Sequence, residues 1–307
     1  MTARNELAVA RRAADEPPPG TPESAKRRVA RYYDGMQFLY SSLWSSSGLH
    51  YGFWEPGTRS RAQAIRNMDR LVACELALPL GSRVLDAGCG VGGTSMLLAE
   101  EHGLDVVGIT ISDDQLERAR RAAAASPARA RLRFAHADFL DTGFEDASFD
   151  GVVGIESVCY AEPKSAFLAE AWRVLRPGGR LVVLDGFRQR TALTPRDARG
   201  LRRFVSGWAL SGLAFVGEFD AALHAAGFES VDYSDKRRAV MPSAWIMEGI
   251  AWIGFWSIGL ACWLEVLPRL WLDHGLACLS QRRLFQRETL TYGVFTARKP
   301  RATNPGS

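Results

Sequence analysis

The chain has 307 residues, 47% apolar and 23% charged, with 38 Lys and Arg against 34 Asp and Glu for a net charge of +4. That balance fits a globular fold of one large or two small domains; it excludes collagen-like, coiled-coil and wholly disordered chains and supplies no basic face for a nucleic acid. Five cysteines, at 74, 89, 159, 262 and 278, form an odd set without a CxxC pair, which argues against disulfides or a metal cluster and for a reducing cytosol. The N-terminus lacks an apolar run of signal-peptide length, so a cytoplasmic protein is expected.

Residues 1–22, with the run Pro17-Pro18-Pro19-Gly20, predict a disordered tail. Thr21-Pro22-Glu23 predicts a helix start: a capping hydroxyl, a proline in the first turn, an acid near the positive dipole end. That helix continues through Lys26-Arg27-Arg28 toward Tyr32, Tyr33, Phe38, Tyr40 and Trp44, within a helical, aromatic segment over 23–75. The basic triplet reads as a solvated face or as a membrane-surface patch.

From 81 to 185 strands and helices alternate. Strands are predicted at 83–86, 106–110, 132–135, 151–155 and 181–184, with helices at 93–102, from Ser112 through Arg121, and at 164–175. Arg176-Pro177-Gly178-Gly179 predicts a turn. Apolar strands separated by helices imply a parallel sheet covered on both faces, a doubly wound α/β domain. A helical insert over 195–213, a helix over 219–226 and strands over 228–233 and 290–297 follow. The core is thus expected over 76–235 plus 288–300, interrupted by a Trp-rich helical insertion over 236–287.

Asp86-Ala87-Gly88-Cys89-Gly90-Val91-Gly92-Gly93 follows a strand and opens a helix. Gly88, Gly90 and Gly93 formally satisfy GxGxxG, but Thr110 stands where a dinucleotide reader carries its ribose acid. Further blocks follow in order: Val107–Ser112, Ala137-Asp138-Phe139, Phe149–Val152 and Val174–Gly179. Together these resemble a class I S-adenosylmethionine-dependent methyltransferase, and within that superfamily the group of tocopherol, sterol and small-terpenoid enzymes. The segments Leu49–Trp54 and Tyr292–Pro300 agree with that group.

The resemblance implies a Rossmann-like, mostly parallel seven-stranded sheet with helices on both faces and a helical cap. It places Asp86 and the backbone of Gly88 and Gly90 at the cofactor's amino-acid end. Thr110, Ile111 and Gln115 fall along the ribose and adenine, and Asp138 and Phe139 on the adenine; Cys89, Gly92 and Ile155 complete the implied cofactor set. A sulfonium cofactor without phosphates suits loops that lack Lys and Arg.

Glu156 and Tyr160 follow the fourth strand, where ligands of open α/β sheets lie. The Glu-Ser-x-x-Tyr pattern is similar to terpenoid C-methyltransferases, in which a carboxylate stabilises a carbocation and accepts its proton. The other reading of Glu156 is structural, a carboxylate holding backbone N–H groups. Tyr33, Tyr51 and Tyr160 offer aromatic faces to a cation. His50 is a candidate base for a hydroxyl or a packed histidine. Cys159 has no partner base nearby in sequence and is not expected to be a nucleophile.

Five of the nine tryptophans lie between 245 and 271. Trp245, Trp252, Trp256 and Trp263 are spaced 7, 4 and 7, within an arc of roughly 40° on one helix. The uncharged run Gly249–Leu264 is 16 residues long, short of the ~20 needed to span a bilayer. Three readings compete: a cap over the acceptor, a helix lying in a membrane surface, and a homodimer contact. Under the cap reading, Tyr33, Trp54, Trp245, Trp252 and Trp256 touch the acceptor. The expected activity is methyl transfer to a small prenyl, terpenoid or sterol-like acceptor, with carbon favoured. The alternatives are O-methylation of a hydrophobic natural product, or a lipid-binding protein on a non-catalytic scaffold.

Overall fold

A computed structural model describes residues 21–39, 44, 45 and 48–301. The expected tail up to residue 20 and Tyr40 lie outside the described residues. Seven strands form one sheet: β1 (Arg83–Ala87), β2 (Asp105–Thr110), β3 (Leu132–His136), β4 (Phe149–Ile155), β5 (Leu175–Arg188), β6 (Glu229–Asp235) and β7 (Leu290–Arg298). Their order is β3-β2-β1-β4-β5-β7-β6, and only β7 runs against its neighbours. The expected turn over 176–179 is instead absorbed into β5, where the β4 pairing shifts register between Phe149 and Gly151.

The helices are α1 (Pro22–Leu39), α2 (Arg61–Leu76), α3 (Gly93–His102), α4 (Asp113–Ala125), α5 (Lys164–Val174), α6 (Pro195–Gly207), α7 (Val216–Ala225), α8 (Arg237–Trp263) and α9 (Arg269–Gln286). Local chemistry sets their ends. The Ser112 hydroxyl accepts the Gln115 N–H, and Asp113 and Asp114 then meet the positive end of α4. Thr194 caps α6 ahead of Pro195. That helix stops at Gly207, so 208–213, expected to be helical, is not.

The order of the sheet reverses between β1 and its two neighbours, β2 and β4, which opens a crevice beyond their carboxyl ends. Over it lie α1, the segment 48–54, α6 and α9. Their apolar residues Tyr32, Met36, Tyr51, Phe204 and Phe285 share one core cluster with Val153, Val182 and Leu184 of the sheet. The opposite face is closed by α5 and α7, whose Phe167 and Phe219 share a core cluster with Phe295 of β7.

The N-terminal half of α8 is built into this body. Val240, Ser243, Ala244 and Met247 are buried, and Ser243 Oγ accepts both the Gly52 N–H and the Trp54 indole N–H at 2.9 Å. The tryptophan stripe is not. Trp245, Trp252, Trp256 and Trp263 are 53%, 58%, 79% and 78% exposed, so they form no wall over the crevice and the cap reading fails for them. The sequence period was right about the stripe and silent about which side of it met protein. On the other side of α8, Ala251, Gly254 and Ile258 are half-buried.

Gly207 lets α6 and α9 touch: a Cβ there would stand 2.3 Å from the Asp273 carbonyl oxygen and 2.6 Å from the Ala277 Cβ. Gly207→Ala is therefore expected to push the two helices apart at a cost of about 1–3 kcal/mol. Thermal denaturation should show a midpoint several degrees lower, and an unchanged midpoint would refute this contact.

Candidate active site

The crevice is lined by residues the sequence pointed to, arriving from the ends of four strands. Asp86 is next to last in β1, Thr110 closes β2, Ile155 closes β4, and Asp138 and Phe139 follow β3. Gly88, Cys89, Gly90, Ile111 and Gln115 line it as well. Gly92 does not: it precedes the first turn of α3 with the Phe134 ring against its back. Its glycine serves close packing rather than ligand approach. Trp54 is also outside the lining, because its indole is spent on Ser243.

The polar groups are mostly acceptors. Asp86 is buried, takes a 2.5 Å bond from Ser95 Oγ, and burial raises its pKa to about 6. The Thr110 hydroxyl donates to Gln115 Oε1 at 2.9 Å, which fixes the end of β2 to the first turn of α4. Asp138 forms an ion pair with Lys26 of α1, drawing that helix over the site.

Glu156 sits one residue past β4 in a left-handed conformation, φ +49°. Such a backbone is unfavourable for a side-chain-bearing residue by about 1 kcal/mol, and it turns the carboxylate into the crevice. Oε1 accepts the Tyr51 N–H at 2.8 Å and the Tyr292 hydroxyl at 3.0 Å; Oε2 accepts no hydrogen bond among the described residues. Burial pushes the pKa up to about 7, against the opposing pull of the His50 charge. Tyr160 donates its hydroxyl to the Trp208 carbonyl at 2.9 Å and takes the Tyr33 hydroxyl at 3.3 Å. The Tyr51 hydroxyl is held by Gln281 of α9.

His50 lines the crevice but is no base. Its Nδ1 meets the Tyr51 carbonyl at 2.9 Å and its Nε2 meets Asp69 at 3.2 Å. Burial alone would lower its pKa, but the Asp69 charge and hydrogen bond outweigh that and hold it at about 9. The ring is therefore a cation at neutral pH, with both nitrogens occupied. Cys159 is buried and its thiol is pushed well above the ordinary range, which suits its expected lack of a nucleophilic role.

Sequence reasoning missed Asp185, which lies in β5 three residues before its end, much as Asp86 lies next to the end of β1. It accepts the Cys159 and Gly186 N–H groups and is raised by burial to about 6. An acid near the end of an apolar strand was the available signal. Tyr292 was noticed only as a family mark, and Asp69, in the middle of α2, carried no signal at all.

A methyltransferase-domain family model matches residues 85–183. The 27-O-demethylrifamycin SV methyltransferase of Amycolatopsis mediterranei is 30% identical over 274 residues, covering 89% of this chain and 97% of that protein. The chain belongs to the class I S-adenosylmethionine-dependent methyltransferases. It is also similar to the sterol 24-C-methyltransferase of Gibberella zeae, 31% identical over 281 residues, 85% of this chain and 71% of that one. Among solved structures, the [4+2]-cyclase SpnF superposes with a TM-score of 0.75 at 26% identity, over 90% of this chain and 97% of the other.

The crevice of this methyltransferase fits its cofactor, S-adenosylmethionine. Asp86, Asp138, Glu156 and Asp185 face a space whose cations, Lys26 and His50, are already paired. That charge favours a ligand carrying an ammonium and a sulfonium and disfavours the phosphates of a dinucleotide. No group of three or more metal-ligating side chains occurs among the described residues.

Gly90 has φ +56°, and a Cβ there would meet only Leu49, at 3.8 Å, on the open side of the crevice. Gly90→Val is expected to leave the fold intact and lower cofactor affinity by about a hundredfold or more, by strain and by occupying ligand space. Calorimetric titration with S-adenosylhomocysteine measures it; wild-type affinity in the folded variant would refute the placement.

Proposed function

We propose that this methyltransferase acts on a carbon of a neutral, lipophilic acceptor of the prenyl, terpenoid or sterol kind, with Glu156 receiving the proton that the product must lose. The observation that carries this reading is the half-buried Glu156 carboxylate, in a crevice also lined by Tyr33, Tyr160, Phe204, Trp208 and Phe285, with Oε2 left unbonded among the described residues. Asp86, the backbone of Gly88 and Gly90, Thr110, Gln115, Asp138 and Phe139 would hold the cofactor. Bound there, S-adenosylmethionine supplies an electrophilic methyl group on a sulfonium centre.

An acceptor double bond that takes this methyl is left with a cationic carbon. The electrons of an adjacent C–H bond then close a new double bond, and the proton passes to Glu156 Oε2. A C–H beside a carbocation is strongly acidic, so a carboxylate with a pKa of about 7 suffices, whereas an alkanol needs a much stronger base. The rings of Tyr33 and Tyr160, 5.8 Å apart and packed edge to face, line the same crevice and add aromatic electron density near the positive charge. The cover of α1, α6 and α9 keeps water from capturing it. An acceptor bearing a diphosphate does not suit a site whose lysine and histidine are both paired to carboxylates.

O-methylation is the second reading, favoured by the full-length match to a rifamycin O-methyltransferase. Glu156 would then take a hydroxyl proton. Methyl-labelled cofactor and a panel of sterol and hydroxylated polycyclic acceptors separate the two. Label that survives ether cleavage supports carbon, and label lost on cleavage selects oxygen.

Glu156→Gln is expected to keep cofactor affinity and cut turnover by about 10²-fold or more. Because the carboxylate must be ionised to accept the proton, wild-type turnover should rise with pH through about 7. That acid limb should vanish from the residual activity of the variant. Wild-type turnover in Glu156→Gln would return Glu156 to a structural role.

A further inference from the structure

Helix α8 leaves a large apolar face uncovered. Trp245, Trp252, Ile253, Trp256, Leu260, Trp263 and Leu264 are all more than half exposed, and at 100° per residue they fall within an arc of about 120°. Val266, just past the helix, is 72% exposed. No charged residue interrupts the stretch from Gly249 to Leu264, and Glu248 before it is ion-paired to Arg282 of α9. A patch of this kind marks a contact surface rather than ordinary surface scatter.

Both ends of the stripe are basic. Lys236 and Arg238 stand at the start of α8. At the other end, Arg269 opens α9 beside Leu270, and Leu270 shares a surface recess with Arg27, Arg28 and Arg31 of α1 and with Ser206 of α6. Arg202 and Arg203 lie one turn before Ser206 and are exposed. The exposed acids there, Glu265 at the tip and Glu23, which pairs with Arg27, are outnumbered by Arg28, Arg31, Arg202, Arg203 and Arg269. A second copy docking on the stripe by two-fold symmetry would set basic end against basic end, whether the helices ran parallel or antiparallel. An anionic surface suits both ends at once.

We propose that the α8 stripe is a membrane-docking surface, its tryptophans entering the headgroup–acyl boundary of an anionic bilayer while the arginines of α1, α6 and α9 meet lipid phosphates. Indoles favour that boundary, having an apolar body and one N–H donor. By length and composition α8 is the one helix among the described residues able to cross a membrane. It lies flat instead. Its first half is locked into the protein through Ser243, and the free 16 residues span only about 24 Å of a hydrocarbon core of about 30 Å. Docking holds the protein at the phase in which lipophilic acceptors dissolve, and it holds whichever atom of the acceptor is methylated.

Co-sedimentation with vesicles of phosphatidylglycerol and phosphatidylcholine tests it, beside vesicles of phosphatidylcholine alone. Wild-type protein is expected on the anionic vesicles, with its tryptophan emission shifted to the blue. The triple variant W252S/W256S/W263S should bind roughly tenfold or more weakly. Arg28→Gln with Arg203→Gln should weaken binding about fivefold per arginine removed. Calorimetry with S-adenosylhomocysteine establishes that each variant is folded. Failure of wild-type protein to bind either vesicle, or equal binding by the folded triple variant, overturns the proposal. So does a lipid-free dimer that the triple substitution converts to monomer, which would assign the stripe to a second copy.

Discussion

The Glu156 carboxylate ties together parts of the chain that otherwise meet only through apolar contact. One oxygen receives the Tyr51 N–H from the segment before the core and the Tyr292 hydroxyl from β7, while its own backbone N–H reaches the Leu184 carbonyl of β5. The segment 48–54, the fourth strand and the final strand thus converge on a single half-buried acid. Its left-handed backbone is the local cost of aiming it there. The same bonds leave the other oxygen uncommitted, so structural and chemical roles share one side chain. The two readings that the sequence set against each other are compatible.

Around this acid the site manages charge by pairing its cations and leaving carboxylates in excess. His50 and Lys26 each satisfy an aspartate, and Asp86 and Asp185 are held by neighbouring donors rather than by positive side chains. A reaction whose electrophile is a cation gains from such a lining, since the field is already in place when charge migrates from sulfur toward the acceptor. Tyr33, Tyr160, Phe204, Trp208 and Phe285 line the same crevice, and their low polarity limits the screening of that field.

Much of this was legible in the sequence because it depends on local rules. The strand leading through Asp86, its glycines and the four later blocks predicted the sheet and the edge of the crevice, where Gly92 alone of the expected cofactor residues lies outside the lining. What could not be read was partnership across the chain. His50 could be a base or a packed histidine, and what decides for packing is Asp69, nineteen residues away on α2. Trp54 looked like an acceptor contact until Ser243 claimed its indole. The spacing of the α8 tryptophans defined a stripe, but periodicity cannot say whether a stripe meets protein or solvent. That depends on how the N-terminal half of the helix is anchored.

The sheet also imposes an order on synthesis. Strand β7 lies between β5 and β6 yet comes after both in the chain, beyond α8 and α9. Until it is made, β5 and β6 have no common neighbour, Glu156 lacks the Tyr292 hydroxyl, and the covering helices have no closed floor to rest on. The tryptophan helix therefore leaves the ribosome while the domain that anchors it is incomplete. Its apolar stretch is on offer to a chaperone or a nearby bilayer before the native contacts of its first half exist, so the stage of greatest aggregation hazard precedes sheet closure.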